Sequence, residues 1–304
     1  MQSIIGVRQI ADCDYFVGTP LRTPWGRVFG GQTLAQALQA ACATVTPPSD
    51  GSSDPPRVHS LQAYFVLAGS CDAEVLFEVE RARDGGSFQT RSVKALQNNQ
   101  TILLLQASFH RIERGLTFQA DFSEVLQRLS PDLFPRGSAD LPSPEVLLER
   151  LSRNTTRPEI PAAFHAFGGI ERIDIAEDVN WKLVYTRVEA SGVADDEVAT
   201  HCALLTYLSD YGMVQIARRP HRRAGGKTFD GAPFSMSLSL DHSIHFHRPD
   251  KIDVRRWLVF HYFTTVSAAA RGVAQLHVFS AATGELLATV VQEALLRVPR
   301  DAAL

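Results

Sequence analysis

The stretch "SLSLDHSIHFHRP", Ser237–Pro249, decides how this chain is read, because it packs three histidines, an aspartate and three serines into thirteen residues. Side chains alternate faces along a strand. Leu238, Leu240, His242, Ile244 and Phe246 are therefore expected on one face, and Ser239, Asp241, Ser243, His245 and His247 on the other. One face is core-like and the other polar, the pattern of a half-buried strand that stops at Pro249, which has no ladder donor. A metal site is disfavoured: His245 and His247 offer two ligands where zinc wants three or four, and no Cys/His cluster elsewhere completes the set. A serine-hydrolase relay within the strand fails on distance, since same-face neighbours lie about 7 Å apart. No GxSxG elbow occurs in the chain. His242, on the apolar face, reads as a hydrogen-bonded structural histidine, and the remaining polar residues need partners from other segments.

Working outward, the strand belongs to a pattern that occurs twice. In the first half "GGQTLAQALQAACATV" (Gly30–Val45) reads as a helix, with Leu34, Leu38, Ala41 and Val45 on one face. Three strand-like segments follow, "HSLQAYFVLAG", "SFQTRSVKALQ" and "QTILLLQASFHR", with Asn98-Asn99 as a hairpin turn. In the second half "SDYGMVQIA" (Ser209–Ala217) reads as helical, followed by "SLDHSIHFHRP", "AARGVAQLHVF" and "GELLATVVQEALLR". His59-Ser60-Leu61 matches His242-Ser243-Ile244, Arg91 matches Arg271, and "LLLQASFHR" matches "TVVQEALLR", in the same order. Ala35, Ala37, Ala40, Ala41 and Ala43 keep the first helix thin, as a helix wrapped closely by a sheet requires. The expected fold is α+β: a helix swaddled in a curled antiparallel sheet, the hotdog arrangement, occurring twice as a double hotdog. The expected organisation is an N-terminal unit over 1–115, a Pro/Ser/Gly-rich linker over 116–165 with a helix-like patch at 146–151, and a C-terminal unit over 166–304.

Bulk composition excludes several function classes. The 304 residues carry a net charge of -3, with 45% hydrophobic and 21% charged residues. Without a concentrated positive field, a nucleic-acid partner is not expected. The one basic stretch, "RRPHRRAGGK" (Arg218–Lys227), reads as a solvated loop, with binding of an anionic substrate tail as the alternative. The four cysteines form no CxxC pair, which argues against both a zinc knuckle and a disulfide framework. No signal peptide, membrane-spanning run or peroxisomal tripeptide is apparent, so a soluble cytoplasmic protein with no membrane partner is expected.

Seven segments, "GRVFGGQTLAQAL", "VHSLQAYFVLAGS", "RDGGSFQTRSVKALQ", "YLSDYGMV", "SLDHSIHFHRP", "SAAARG" and "VVQEALLR", together resemble the acyl-CoA thioesterase II (TesB-like) family, in family order across about residues 25–297. The resemblance implies a double hotdog that hydrolyses acyl-CoA to a free acid and CoA, with no cofactor and no covalent intermediate. It also implies acyl-CoA as the small-molecule partner and association into a homo-oligomer. The family's water-binding constellation of an Asp, a Thr or Ser, and a Gln falls on Asp210, Ser239 and Gln292; Thr is more usual where Ser239 stands. The chemistry is coherent, since a thioester carbonyl is already electrophilic and water needs positioning and partial deprotonation. Asp210 would accept the water's proton, while Ser239 and Gln292 would hold it, the amide as donor and acceptor. Gly30, Gly31, His59, Arg91 and Arg271 are candidate substrate contacts, with the two glycines at a helix N-terminus suited to an oxyanion. Taken singly, Asp210 also reads as a helix N-cap, Gln292 as a strand residue satisfying backbone, and Ser239 as solvent-facing. Two departures touch the first half: Gln62 where the family carries a second His, and Leu67-Ala68 where it carries Arg-Pro. They motivate an alternative, a catalytically silent acyl-CoA-binding or sensing protein on the same fold. A hotdog hydratase pairs Asp with His and fits the matched motifs less well.

Overall fold

The computed structural model describes residues 2–24, 26–47, 55–129, 146, 169–189, 193, 197–221 and 234–299. The first half runs α1 (Gln2–Ile5), β1 (Arg8–Gln9), β2 (Tyr15–Gly18), α2 (Gly30–Ala43), β3 (Arg57–Phe65), β4 (Val75–Asp84), β5 (Phe88–Gln97) and β6 (Gln100–His110). After α3 (Phe122–Leu129) the second half runs β7 (Ile170–Glu177), β8 (Trp181–Val188), α4 (Val198–Ser209), α5 (Met213–Arg218), β9 (Met236–Ser239), β10 (Asp241–Phe246), β11 (Leu258–Ala268), β12 (Arg271–Ser280) and β13 (Leu286–Arg297). Most of the expected linker, and the patch at 146–151 apart from Val146, lies outside the described residues, as does 222–227 of the basic stretch.

All strands among the described residues join one antiparallel sheet in the order β1-β2-β4-β5-β6-β3-β10-β13-β12-β11-β8-β7, with β9 also paired to β13. The halves meet at β3 and β10, where Ile244 stands against Leu61 and His245 against Ser60. Each half therefore lays its strands outward from one central strand, the doubled hotdog architecture. α2 packs against β4, β5 and β6 on one side and against α4 on the other, while α5 lies on β11, β12 and β13. Ala35, Ala37, Ala40 and Ala41 of α2 are fully buried, which lets sheet and partner helix approach it closely, whereas Ala43, in its last turn, is exposed. Asn98 and Asn99 both take positive φ at the tight β5–β6 turn, as their short amide side chains allow.

Three sequence expectations are corrected here. The helix of the second half that packs against α2 is α4, "VATHCALLTYLS", one element earlier than "SDYGMVQIA", in which Ser209 closes α4 and only Met213–Ala217, in the short α5, form a further helix. Every residue of α4 from Thr200 to Ser209 is buried, so it shows no polar face and no amphipathic period.

The second correction concerns the opening strand. Ser239 pairs with Ala294 and Ser243 with Val291, four steps along one strand against three along the other. Leu240 is thus one extra residue, a β-bulge, and it separates β9 from β10. Its N–H donates to Glu293 O at 2.9 Å, and its carbonyl accepts from Phe65 N at 2.9 Å. The N–H of Glu293 donates instead to Asp241 Oδ1 at 2.6 Å, so a side chain replaces the missing ladder acceptor. The bulge reverses the alternation. Ser239 shares a face with its fully buried partner Ala294, and so with His242, rather than with Asp241 and His245.

The third is the residue-by-residue match between halves. Ser60 pairs with Ser108 and Ser243 with Val291, so the next position inward is Phe109 in one half and Gln292 in the other. Gln106 faces outward beside Gln62 and is not the counterpart of Gln292. Likewise Arg91 stands opposite Ala107 and is fully buried, whereas Arg271 is exposed at the start of β12.

Candidate active site

α2 begins at Gly30 after Phe29, whose side chain supplies no cap. Helix N-termini expose unpaired N–H groups and a partial positive charge. Here a carboxylate from the other half fills that need: Gly31 N donates to Asp210 Oδ2 at 2.8 Å. Asp210 stands at the C-cap of its own helix, α4, so it caps a helix, but not its own. The glycines make the approach feasible. A Cβ on Gly31 would sit 2.7 Å from the Tyr207 carbonyl oxygen, and one on Gly30 would sit 3.0 Å from Asp210 Oδ2. Phe29 packs on Tyr207 and Tyr211 with ring centroids 5.3 and 4.8 Å away, fixing the two helix ends against each other.

From Asp210 a chain of polar contacts runs into the sheet. Ser239 Oγ lies 3.5 Å from Asp210 Oδ1, a long contact at the outer limit of hydrogen bonding. Gln292 Nε2 donates to Ser239 Oγ at 2.7 Å. Gln292 Oε1 meets His242 Nδ1, and His242 Nε2 lies 2.9 Å from Ser209 Oγ. Gln292, His242 and Ser209 are fully buried, and Asp210 is 8% exposed. Burial pushes the Asp210 carboxyl above the ordinary carboxylate range, opposed by the nearby His242 and by the donors of Gly31, Gln292 and Ser239. Burial also holds the His242 imidazole below its usual value, so it is neutral at neutral pH. Tyr207, beside the site, is pushed up to about 12 by burial.

The chain ends in a cavity of about 870 Å³. Gly30, Asp210 and Ser239 line it, with Phe29, Phe65, Val66, Leu67, Ile102, Leu103, Val214 and Leu238 as an apolar wall and Arg27 and Arg218 among its polar residues. Leu67-Ala68, the departure from the family's Arg-Pro, forms part of that wall. The arrangement holds a partly desolvated carboxylate, with hydrogen-bond donors beside it, at the edge of an apolar cavity. It can hold a water and take its proton. No group of three or more His, Cys, Asp or Glu suited to a metal occurs among the described residues.

The sequence-derived residues divide into two sets. Asp210, Ser239, Gln292, Gly30 and Gly31 are brought together. His59, Arg91 and Arg271 are not among the residues lining the cavity. His59 bonds Ser108 through Nε2 at 2.8 Å; Arg91 donates to Thr44, Arg83 O, Thr90 O, Gln89 and Asp84; and Arg271 donates to Glu293. The N–H of Gly31 is bound to Asp210 and so is not free for an oxyanion, whereas that of Gly30 has no partner among the described residues. Gln292 presents its NH2 to Ser239 and its oxygen to His242, which corrects the expectation that the amide also accepts from the water. His242 and Ser209 were missing from the candidate set. His242 reads from the sequence only as a hydrogen-bonded structural histidine on the apolar face, and the one signal for Ser209 is its place next to Asp210.

Comparison with known proteins agrees with this architecture. The acyl-CoA thioesterase N-terminal domain family matches residues 19–110, and the acyl-CoA thioesterase family matches residues 180–295. The chain is 30% identical over 300 residues to human acyl-coenzyme A thioesterase 8, covering 94% of this chain and 86% of that protein. It is 30% identical over 287 residues to Haemophilus influenzae acyl-CoA thioesterase 2, covering 89% and 88%. The crystal structure of an acyl-CoA thioesterase II TesB2 from Mycobacterium marinum superposes with a TM-score of 0.72 at 25% identity, covering 98% of this chain and 97% of that one.

Proposed function

The chain belongs to the acyl-CoA thioesterase family, and from that premise we propose that it hydrolyses acyl-CoA with a water held by Asp210, Ser239 and Gln292. The observation that carries this reading is the chain of contacts from the N-terminus of α2 through Asp210 and Ser239 to Gln292, opening on an apolar cavity. The acyl chain occupies the apolar wall. Asp210, a stronger base for being buried, takes a proton from the water as its oxygen bonds to the thioester carbonyl carbon. Charge then develops on the carbonyl oxygen, where the free N–H of Gly30, which lines the cavity, is the available donor. On collapse the C–S bond breaks, the sulfur takes the proton from Asp210, and free acid and CoA thiol leave.

The test is release of CoA thiol from acyl-CoAs of graded chain length. Asp210→Asn is expected to lower kcat by about 10³-fold, the range for loss of a general base. Substrate binding without thiol release by the wild-type protein would favour the silent acyl-CoA binder instead.

A further inference from the structure

Polarity in the buried chain depends on one hydrogen. His242 faces Gln292 Oε1 through Nδ1 and Ser209 Oγ through Nε2, and a neutral imidazole carries a hydrogen on only one of the two nitrogens. With the hydrogen on Nδ1, the ring donates to Gln292 Oε1, and Gln292 turns its NH2 to Ser239. Ser239 Oγ then accepts, and its own hydrogen points to Asp210 Oδ1. Nε2 is left to accept the single hydrogen of Ser209, which then turns away from Thr206 O, 2.9 Å from Ser209 Oγ. With the hydrogen on Nε2, Ser209 accepts from the ring and gives its hydrogen to Thr206 O, 2.9 Å away. The Gln292 amide would then have to turn over, with its oxygen taking the hydrogen of Ser239. Asp210 would face a hydroxyl lone pair instead of a donor. A buried carboxylate that loses a donor is costly, so the first arrangement is the consistent one.

We propose that His242 is a positioning residue for hydrolysis: in its Nδ1–H form, held by Ser209 at Nε2, it fixes the Gln292 amide with NH2 turned toward Ser239 and the attacking water. The inference rests on the reading of Asp210, Ser239 and Gln292 as the water site. It adds that Gln292 acts there as a donor only, and that this polarity is set by a ring that never touches substrate.

Two substitutions separate positioning from mere packing. Asn at 242 keeps an N–H where Nδ1 stood, whereas Gln places its N–H where Nε2 stood. His242→Asn is expected to hold kcat within about fivefold of wild type, His242→Gln to lose about 10²-fold, and both to leave KM within about threefold. Equal kcat in the two variants, whether high or low, or the reverse order, would overturn the proposal. Long-range ¹H–¹⁵N correlation on the wild-type protein decides the same point if a variant does not fold: hydrogen on Nδ1 is expected, and hydrogen on Nε2 refutes it. Asp210→Asn assayed alongside keeps the two failures apart. If it retains wild-type rate, the water-site reading fails. If it loses rate while the Asn and Gln variants stay equal, only the role of His242 is lost.

Discussion

The two halves of the molecule lay their strands outward from a shared central pair in the same way, yet they place the same motif letters on opposite faces. In the first half the bulge falls at His59, between Val58 and Ser60 of β3, and the histidine turns outward to bond Ser108. In the second half the bulge comes earlier, at Leu240, and His242 stays inside. Where the second half has Gln292 beneath its helix ends, the first has Phe109, 1% exposed. The first half still contributes to the site, but through backbone: the N-terminus of α2 holds the carboxylate that the second half supplies. Bulge position and one interior residue therefore separate a polar pocket from an apolar wall on a common scaffold.

Exchanging letters between the halves tests this directly. Gln292→Ala removes the donor to Ser239 and is expected to lower kcat by about 10²-fold. Gln106→Ala, at the position the sequence pairs with it, should leave kcat within about twofold, because it lies on the outer face. Equal losses in a steady-state assay would mean that the outer face takes part in the chemistry.

Asp241 fastens the bulge by accepting the Glu293 N–H. Asp241→Ala leaves that N–H unpaired and is expected to cost about 1–3 kcal/mol of stability. The variant should also lose about tenfold in kcat as Ser239 shifts away from Asp210. Urea unfolding and the thioesterase assay read the two effects. A stable variant with full rate would show that the bulge needs no such clasp.

The smallest effect concerns pH. Burial raises the Asp210 carboxyl in the folded protein, so folding favours its protonated form. Stability from this group is present below the ordinary carboxylate range and is lost as pH rises through the raised value. In the proposed mechanism activity runs the other way, since Asp210 acts there in its base form, and kcat/KM is expected to fall on the acid side at a pH above the ordinary Asp range. Asp210→Asn should accordingly be the more stable protein at neutral pH, while being nearly inactive. A variant less stable than wild type, or an acid limb at an ordinary carboxylate value, would contradict this account of Asp210.

Much of the architecture was legible in the chain. The alanines and leucines of α2 mark a thin wrapped helix, Asn98-Asn99 marks its hairpin, and the ordered motifs mark the family. What could not be read has a physical cause in each case. α4 is buried all round and so has no periodic signature. A bulge such as Leu240 has no residue code of its own, and one extra residue reverses every face beyond it. Arg91 looked like a substrate cation, but its donors close a turn within the first half. His242 was legible as a buried, bonded histidine; its partner Gln292 was not, because the contact joins residues fifty positions apart.

The central claim is that water attacks the thioester directly from a seat on Asp210, with no acyl-enzyme. A single turnover in H₂¹⁸O, with enzyme in excess over acyl-CoA, tests it most directly. Direct attack predicts one ¹⁸O in the released fatty acid and none in the protein. Released acid without label, together with ¹⁸O on the Asp210 carboxylate by peptide mass spectrometry, would mean that Asp210 itself attacks through an anhydride and would contradict the account.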